Sequence, residues 1–137
     1  MQYLSQQAVG RLLEPAQIEV PASLSLPARL KHLQGLMQAG DARAIDVYLT
    51  LGAYLGYALA HLASVYDFGH VLVLGRVTSG PGGAIMLDTA REVLRADFPE
   101  LAARVDMQMP GEKEKRHGQA IAAASLPERD EPAVLRA

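Results

Sequence analysis

The chain has no cysteine, which excludes disulfides, thiolate nucleophiles and cysteine-ligated zinc together. It also has no surplus of positive charge: 13 Lys and Arg stand against 15 Asp and Glu, for a formal net charge of −2. That balance offers no basic field for nucleic acid, and no local run of Lys or Arg supplies one. The opening residues MQYLSQQAVGRLL lack both a basic start and a long apolar stretch. They do not read as a signal peptide, and a cytoplasmic protein is the expectation. A further absence is local: from Val47 to Tyr66 there is no Asp, Glu, Lys or Arg. An uncharged run of that length has to be tested as a membrane span, and Gly52 and Gly56 have the small-xxx-small spacing of membrane helix pairs. Thr50, His61, Ser64 and the tyrosines Tyr48, Tyr54, Tyr57 and Tyr66 interrupt the run, and no Lys or Arg closely flanks it. The pattern predicts the buried central helix of a globular domain and no membrane partner. Gly52, Ala53, Gly56 and Ala60 would let that helix approach a sheet or a second helix closely.

What is present suits one domain. At 137 residues, with 50% hydrophobic and 20% charged residues, the chain is long enough to bury a core of ordinary globular composition. Its organising stretch is His70 to Gly83, HVLVLGRVTSGPGG. Val71, Leu72, Val73, Leu74 and then Val77 form a run too short and too β-branched for a good helix. Alternation is missing, so the expectation is a strand covered on both faces, as in the parallel sheet of an α/β protein. Four glycines, two hydroxyls and a proline follow at once, and then an amphipathic helix. In a strand, Gly-rich turn and helix, backbone N–H groups and a helix N-terminus can meet a nucleotide or phosphate.

The remaining elements follow from spacing. Tyr3, Leu4, Ala8 and Leu12 lie at helical intervals over residues 2–13, and Pro15 stops the pattern. Residues 15–27, with Pro15, Pro21 and Pro27, read as an extended connection. A helix over Ala28–Ala39 buries Leu30, Leu33, Leu36 and Met37 and ends at Gly40. Asp41 can cap the long helix that follows. Past the Gly-rich turn, a helix over Ala84–Asp97 carries Met86, Ala90, Val93 and Leu94 on one face, and Phe98-Pro99 ends it. On its other face Asp88, Arg91, Glu92 and Arg95 suit an ion-paired surface. Residues 103–109 alternate, with Val105, Met107 and Met109 against Arg104, Asp106 and Gln108, which predicts a half-buried strand less covered than Val71–Leu74. After Pro110-Gly111 comes the charged run Glu112–His117, then an alanine-rich helix over Gly118–Leu126 and a flexible polar tail over residues 127–137. The fold class is therefore α/β, with two or three parallel strands and about five helices. So few strands leave edges that need cover, and imply either a larger sheet or one completed by a partner.

The run YLGYALAHLASVYDFGHVLVLGRVTSG resembles the C-terminal half of sugar kinases of the ROK family, bacterial glucokinases among them. Leu55-Gly56, Asp67 and Val71–Gly75 occupy the family's helical Leu-Gly step, acidic corner and apolar strand, and HGQAIAAASL resembles its closing small-residue helix. The match covers roughly residues 41–126. The resemblance implies a helix-rich half of an actin-like ATPase (ribonuclease H-like) domain over residues 1–126, binding ATP with Mg. It places Gly75, Arg76, Thr78, Ser79 and Gly80 against the nucleotide. Arg76 stands where the family has a second glycine, and its side chain would either crowd the adenine slot or pair with a phosphate. The family's Asp-Gly-Thr phosphate loop, catalytic aspartate and one-His, three-Cys zinc site are absent from this sequence. Phosphoryl transfer needs metal-held phosphates and a base at the acceptor hydroxyl. The expectation is a nucleotide-side half that phosphorylates no sugar alone and whose partner is a missing N-terminal half. The alternative is a non-catalytic module that pairs its open sheet edge or tyrosine-lined helix with a second copy as a homodimer.

Other motifs carry less. Gly75-x4-Gly80 has the first spacing of a P-loop, but Pro81 sits where the lysine belongs, and the Rossmann fingerprint fails as well. Among His32, His61, His70 and His117 no pair has metal-site spacing on one helix. His61 reads as a hydrogen-bonded core residue. His117, beside Lys115 and Arg116, reads as a solvated corner with anion contact as its functional alternative. The four tyrosines of the long helix read as packing residues with their polar tips at a surface.

Overall fold

The computed structural model describes residues 3–111. Five α-helices, one 3-10 turn and two short strands follow in the order α1 (Gln6–Leu12), α2 (Leu26–Gln38), α3 (Ala42–Ala63), β1 (His70–Leu72), the 3-10 turn (Arg76–Thr78), α4 (Pro81–Asp97), α5 (Pro99–Arg104) and β2 (Asp106–Gln108). The class is helix-rich α/β with a two-stranded parallel sheet. The helix expected over Gly118–Leu126, the tail and the His117 corner lie outside the described residues.

Local chemistry sets most boundaries. Ser5 caps α1, its hydroxyl accepting from the Gln7 N–H at 3.3 Å. Pro27 stands at the start of α2, where a missing N–H costs nothing. Asp41 caps α3 by accepting from the Arg43 N–H at 2.9 Å. The same carboxylate takes the Arg43 guanidinium at 2.7 Å, and these bonds hold its pKa at about 2. Helix α3 stops at Ala63, and no helix among the described residues is long and apolar enough to cross a membrane.

The core is helical. Tyr48, Leu51, Leu55 and Leu59 of α3 and Met86, Leu87, Ala90 and Leu94 of α4 are buried and form its centre. Ala8, Val9 and Leu13 of the α1 segment and Leu30, Leu33 and Met37 of α2 are buried in the same core. Helices α3 and α4 make the most extensive contact in the molecule, and its closeness depends on α3 glycines. A Cβ at Gly52 would stand 2.6 Å from both the Met86 carbonyl oxygen and the Thr89 Cβ.

Several expectations need correction. Helix α1 buries Ala8 and Val9, while Tyr3 of the expected stripe is 64% exposed, because the helix starts only at Gln6. The connection over 15–27 opens with a turn in which Gln17 has φ +57° before it becomes extended. Helix α4 begins at Pro81, so Gly82 and Gly83 belong to its first turn and not to the loop. Phe98-Pro99 ends α4, yet Pro99 also starts α5, a six-residue helix with Leu101 buried. Strand β1 is not covered on both faces: Val71 and Val73 turn inward, but Leu72 is 59% and Leu74 47% exposed. Strand β2 is the better covered of the two, with Met107 3% exposed. His61 is exposed and not a core histidine. Tyr48 is wholly buried, hydroxyl included, so its tip is not at a surface.

Candidate functional site

Strand β1, the turn after it and the first turn of α4 do form the strand–loop–helix arrangement expected from His70 to Gly83. Two backbone positions explain the glycines. Gly75 has φ +124° and Gly80 φ +76°, conformations that residues with a Cβ rarely adopt. No atom would lie within 4 Å of a Cβ at either place, so both glycines border open space. Between them the chain makes a 3-10 turn, with the Thr78 and Ser79 N–H groups donating to the Gly75 and Arg76 carbonyls at 3.2 and 3.3 Å.

The structure brings the five predicted residues together in this loop but gives them different surroundings. Thr78 is 2% exposed, and its hydroxyl donates to the Gly75 carbonyl at 2.7 Å, shaping the loop from within. Ser79 is half-buried; Gly75, Arg76 and Gly80 are exposed. Among the described residues no side chain caps the first turn of α4, where Pro81 has no N–H and the Gly83 N–H donates to the Gly80 carbonyl at 3.2 Å. The turn carries the partial positive charge of a helix N-terminus.

Two residues that the sequence did not assign to this loop lie against it. Gln34 of α2 reaches across 42 residues of sequence and donates its side-chain amide to the Arg76 carbonyl at 2.9 Å. The same nitrogen lies 3.4 Å from the Ser79 carbonyl. Tyr48 of α3 lies beneath the start of α4, its ring in the space a Cβ at Gly82 would need. Its hydroxyl is buried and has no hydrogen-bond partner among the described residues. Burial pushes the phenol's pKa up, and the neighbouring Gln34 amide offsets part of that rise without reaching bonding geometry. Neither residue had a sequence signal, since each acts through a contact distant in the chain.

The loop thus has two positive-φ glycines beside open space and the exposed Arg76 between them. Among the described residues no group of three or more acidic, His or Cys side chains is placed to hold a metal ion. Two grooves of about 690 and 470 Å³ lie elsewhere. One is lined by Gly10, Leu13, Ile18 and Arg29 among others, and the second by Ala60, Ala63, Phe98 and Leu101. Beside the second, the Asp97 carboxylate accepts from the Tyr57 hydroxyl at 2.6 Å, which raises the phenol's pKa. No family model matches the chain, and neither a curated protein nor a solved structure matches it.

Proposed function

We propose that this chain is the nucleotide-binding half of a ROK-type sugar kinase, in the actin-like ATPase fold, with the groups that activate the sugar lying outside these residues. The observation that carries this reading is the loop Gly75–Gly80. It joins a parallel strand to an uncapped helix N-terminus through two positive-φ glycines that border open space. In this reading the loop lies against the nucleotide, with Arg76 placed to pair with a phosphate, while Thr78 keeps the loop in shape. The Mg ion bound with ATP takes its ligands from the phosphates and from outside the described residues. Isothermal calorimetry with Mg-ATP tests the reading. Binding that is lost in Gly80→Val supports it, because a β-branched residue is strained at φ +76°. No heat of binding in the wild type refutes it.

The outer face of the sheet favours a second reading. Leu72 and Leu74 are exposed there, and β1 pairs only with β2 among the described residues. An interaction module that joins this face to a second copy would bury it. A tight dimer by light scattering, with no nucleotide bound and with dissociation on Leu72→Asp, would establish that reading against the first.

A further inference from the structure

The contacts between α3 and α4 come in the same order along both helices. Tyr48 meets Gly82, Gly52 meets Met86 and Thr89, Gly56 meets Val93, and Tyr57 meets Asp97. The two helices are therefore parallel, and both end on the same side of the molecule, at Ala63 and Asp97. The last carbonyls of two helices make that side negative. The groove of about 470 Å³ opens there, its apolar lining made by Ala60, Ala63, Phe98 and Leu101. Asp97 and Glu100, both exposed, line it as well. Charge in the groove is unmatched in one direction only. Arg104, the one cation that lines it, is paired with Asp67. Asp97 accepts from the neutral Tyr57 hydroxyl, which leaves its negative charge unbalanced. Glu100 takes part in no ion pair among the described residues. Beside these carboxylates the Tyr57 and Phe98 rings meet edge to face, with 6.1 Å between centroids. Leu62, Val65 and Tyr66, close to Ala63 in the chain, are exposed and extend the apolar area beyond the groove.

We infer that this groove is a docking site for an apolar, arginine-bearing segment of a partner protein. Arginine has both features that the groove matches. Its aliphatic stem suits the surface of Ala60, Ala63 and Leu101, and its planar cation stacks on an aromatic ring and pairs with carboxylates. An acidic segment would meet two carboxylates and two helix C-termini and be repelled. The inference goes beyond the nucleotide reading and does not depend on it. Helix α4, 17 residues long, puts about 25 Å between the groove and the glycine loop at its other end.

Heteronuclear NMR of the full chain, titrated with an octapeptide of alternating leucine and arginine, tests this. An octapeptide of alternating leucine and glutamate controls for charge, and N-acetylarginine amide controls for size. The leucine–arginine peptide should give saturable shifts centred on Ala60, Ala63 and Leu101, and the leucine–glutamate peptide none. Glu100→Gln should weaken binding about two- to fivefold, the worth of one exposed ion pair. Ala63→Arg should abolish it, since a resident guanidinium then occupies the groove. A cation at that place suits the end of α3, so melting no lower than wild type will show that the variant is folded. Glu14→Gln, which removes an exposed carboxylate from the other groove, should leave binding unchanged. Absence of saturable shifts in the wild type, equal binding of the leucine–glutamate peptide, or unchanged affinity in Ala63→Arg overturns the assignment. Equal weakening by Glu14→Gln and Glu100→Gln also overturns it, by showing attraction to acidic surface in general. Arginine amide that binds as tightly as the octapeptide would make the groove a small-molecule site and overturn it too. None of these results bears on Mg-ATP, whose binding is measured separately.

Discussion

Replacing Gly52 with alanine should destabilise the protein, although alanine is the better helix former. Gly52 lies in the middle of α3, where the exchange alone would gain about 1 kcal/mol in helix propensity. The new methyl group, however, would sit 2.6 Å from the Met86 carbonyl oxygen and 2.6 Å from the Thr89 Cβ. Ordinary contacts between carbons are about 3.5–4.0 Å, so α3 and α4 must part by roughly 1 Å. Both obstacles belong to backbone or Cβ, and neither can swing aside as a flexible side-chain tip could. Overpacking of this kind costs about 1–3 kcal/mol, which leaves a net loss of up to about 2 kcal/mol after the propensity gain. At this chain length each kcal/mol corresponds to about 3–4 °C in Tm. The same exchange at Gly35 in α2 is the control. That residue is exposed and has nothing within 4 Å of its virtual Cβ, so Gly35→Ala should raise stability by about 0.5–1 kcal/mol. Thermal melts followed by far-ultraviolet circular dichroism suffice for all three proteins. If Gly52→Ala melts at or above the wild-type temperature, the close α3–α4 approach does not exist and the reasoning fails.

Other outcomes follow from single contacts. Tyr48→Phe removes a buried hydroxyl without a partner and should raise the urea midpoint, by about 1 kcal/mol in stability; a clear loss would mean that the hydroxyl is bonded. Asp41, with a pKa of about 2 when folded, lies below the ordinary carboxylate value of about 3.9. Its contribution is complete above about pH 4 and is lost as pH falls through about 2. The melting difference between wild type and Asp41→Asn, which keeps a capping oxygen but not the charge facing Arg43, should shrink steeply across that range. A difference undiminished at pH 2 would show that the ion pair is not its source. Substituting exposed Leu72 with Asp should leave the monomer's melting temperature within about 2 °C; a larger fall would show that the outer face is already covered in solution.

Much of the helical frame was legible in the sequence, because spacing and caps act within a few residues. The Leu30, Leu33 and Met37 face, the Asp41 cap and the α4 face of Met86, Ala90 and Leu94 all appear where periodicity puts them. The alternation that buries Met107 does so too, and the strands are parallel as expected. The ion pair of Asp88 with Arg91, at 3.1 Å, forms on the exposed face of α4. Helix α5 was missed because Phe98-Pro99 is both a stop and a start: proline that cannot continue α4 suits the first turn of the next helix. The cover over β1 was misjudged because an apolar run shows only that a strand could be covered, and not which neighbours are at hand. Exposed Leu72 and Leu74 are the result. At the site, the glycines that require positive φ were visible as residue types, while Gln34 and Tyr48 were not. A glutamine on a helix gives no sign that its amide will reach a loop 42 residues away.

Parallel pairing of β1 with β2 sets Leu72 beside Gln108, and the Val73 N–H donates to the Gln108 carbonyl at 2.9 Å. The two strands therefore finish at one rim, and the Met109 side chain lies beside the first turn of α4. A Cβ at Gly83 would in fact come within 3.1 Å of the Met109 sulfur. Since the natural chain has no thiol of its own, a single cysteine introduced at Gly111 would carry a fluorophore to that rim alone. Occupancy of the glycine turn could then be read as a change in light from a dye a few residues away.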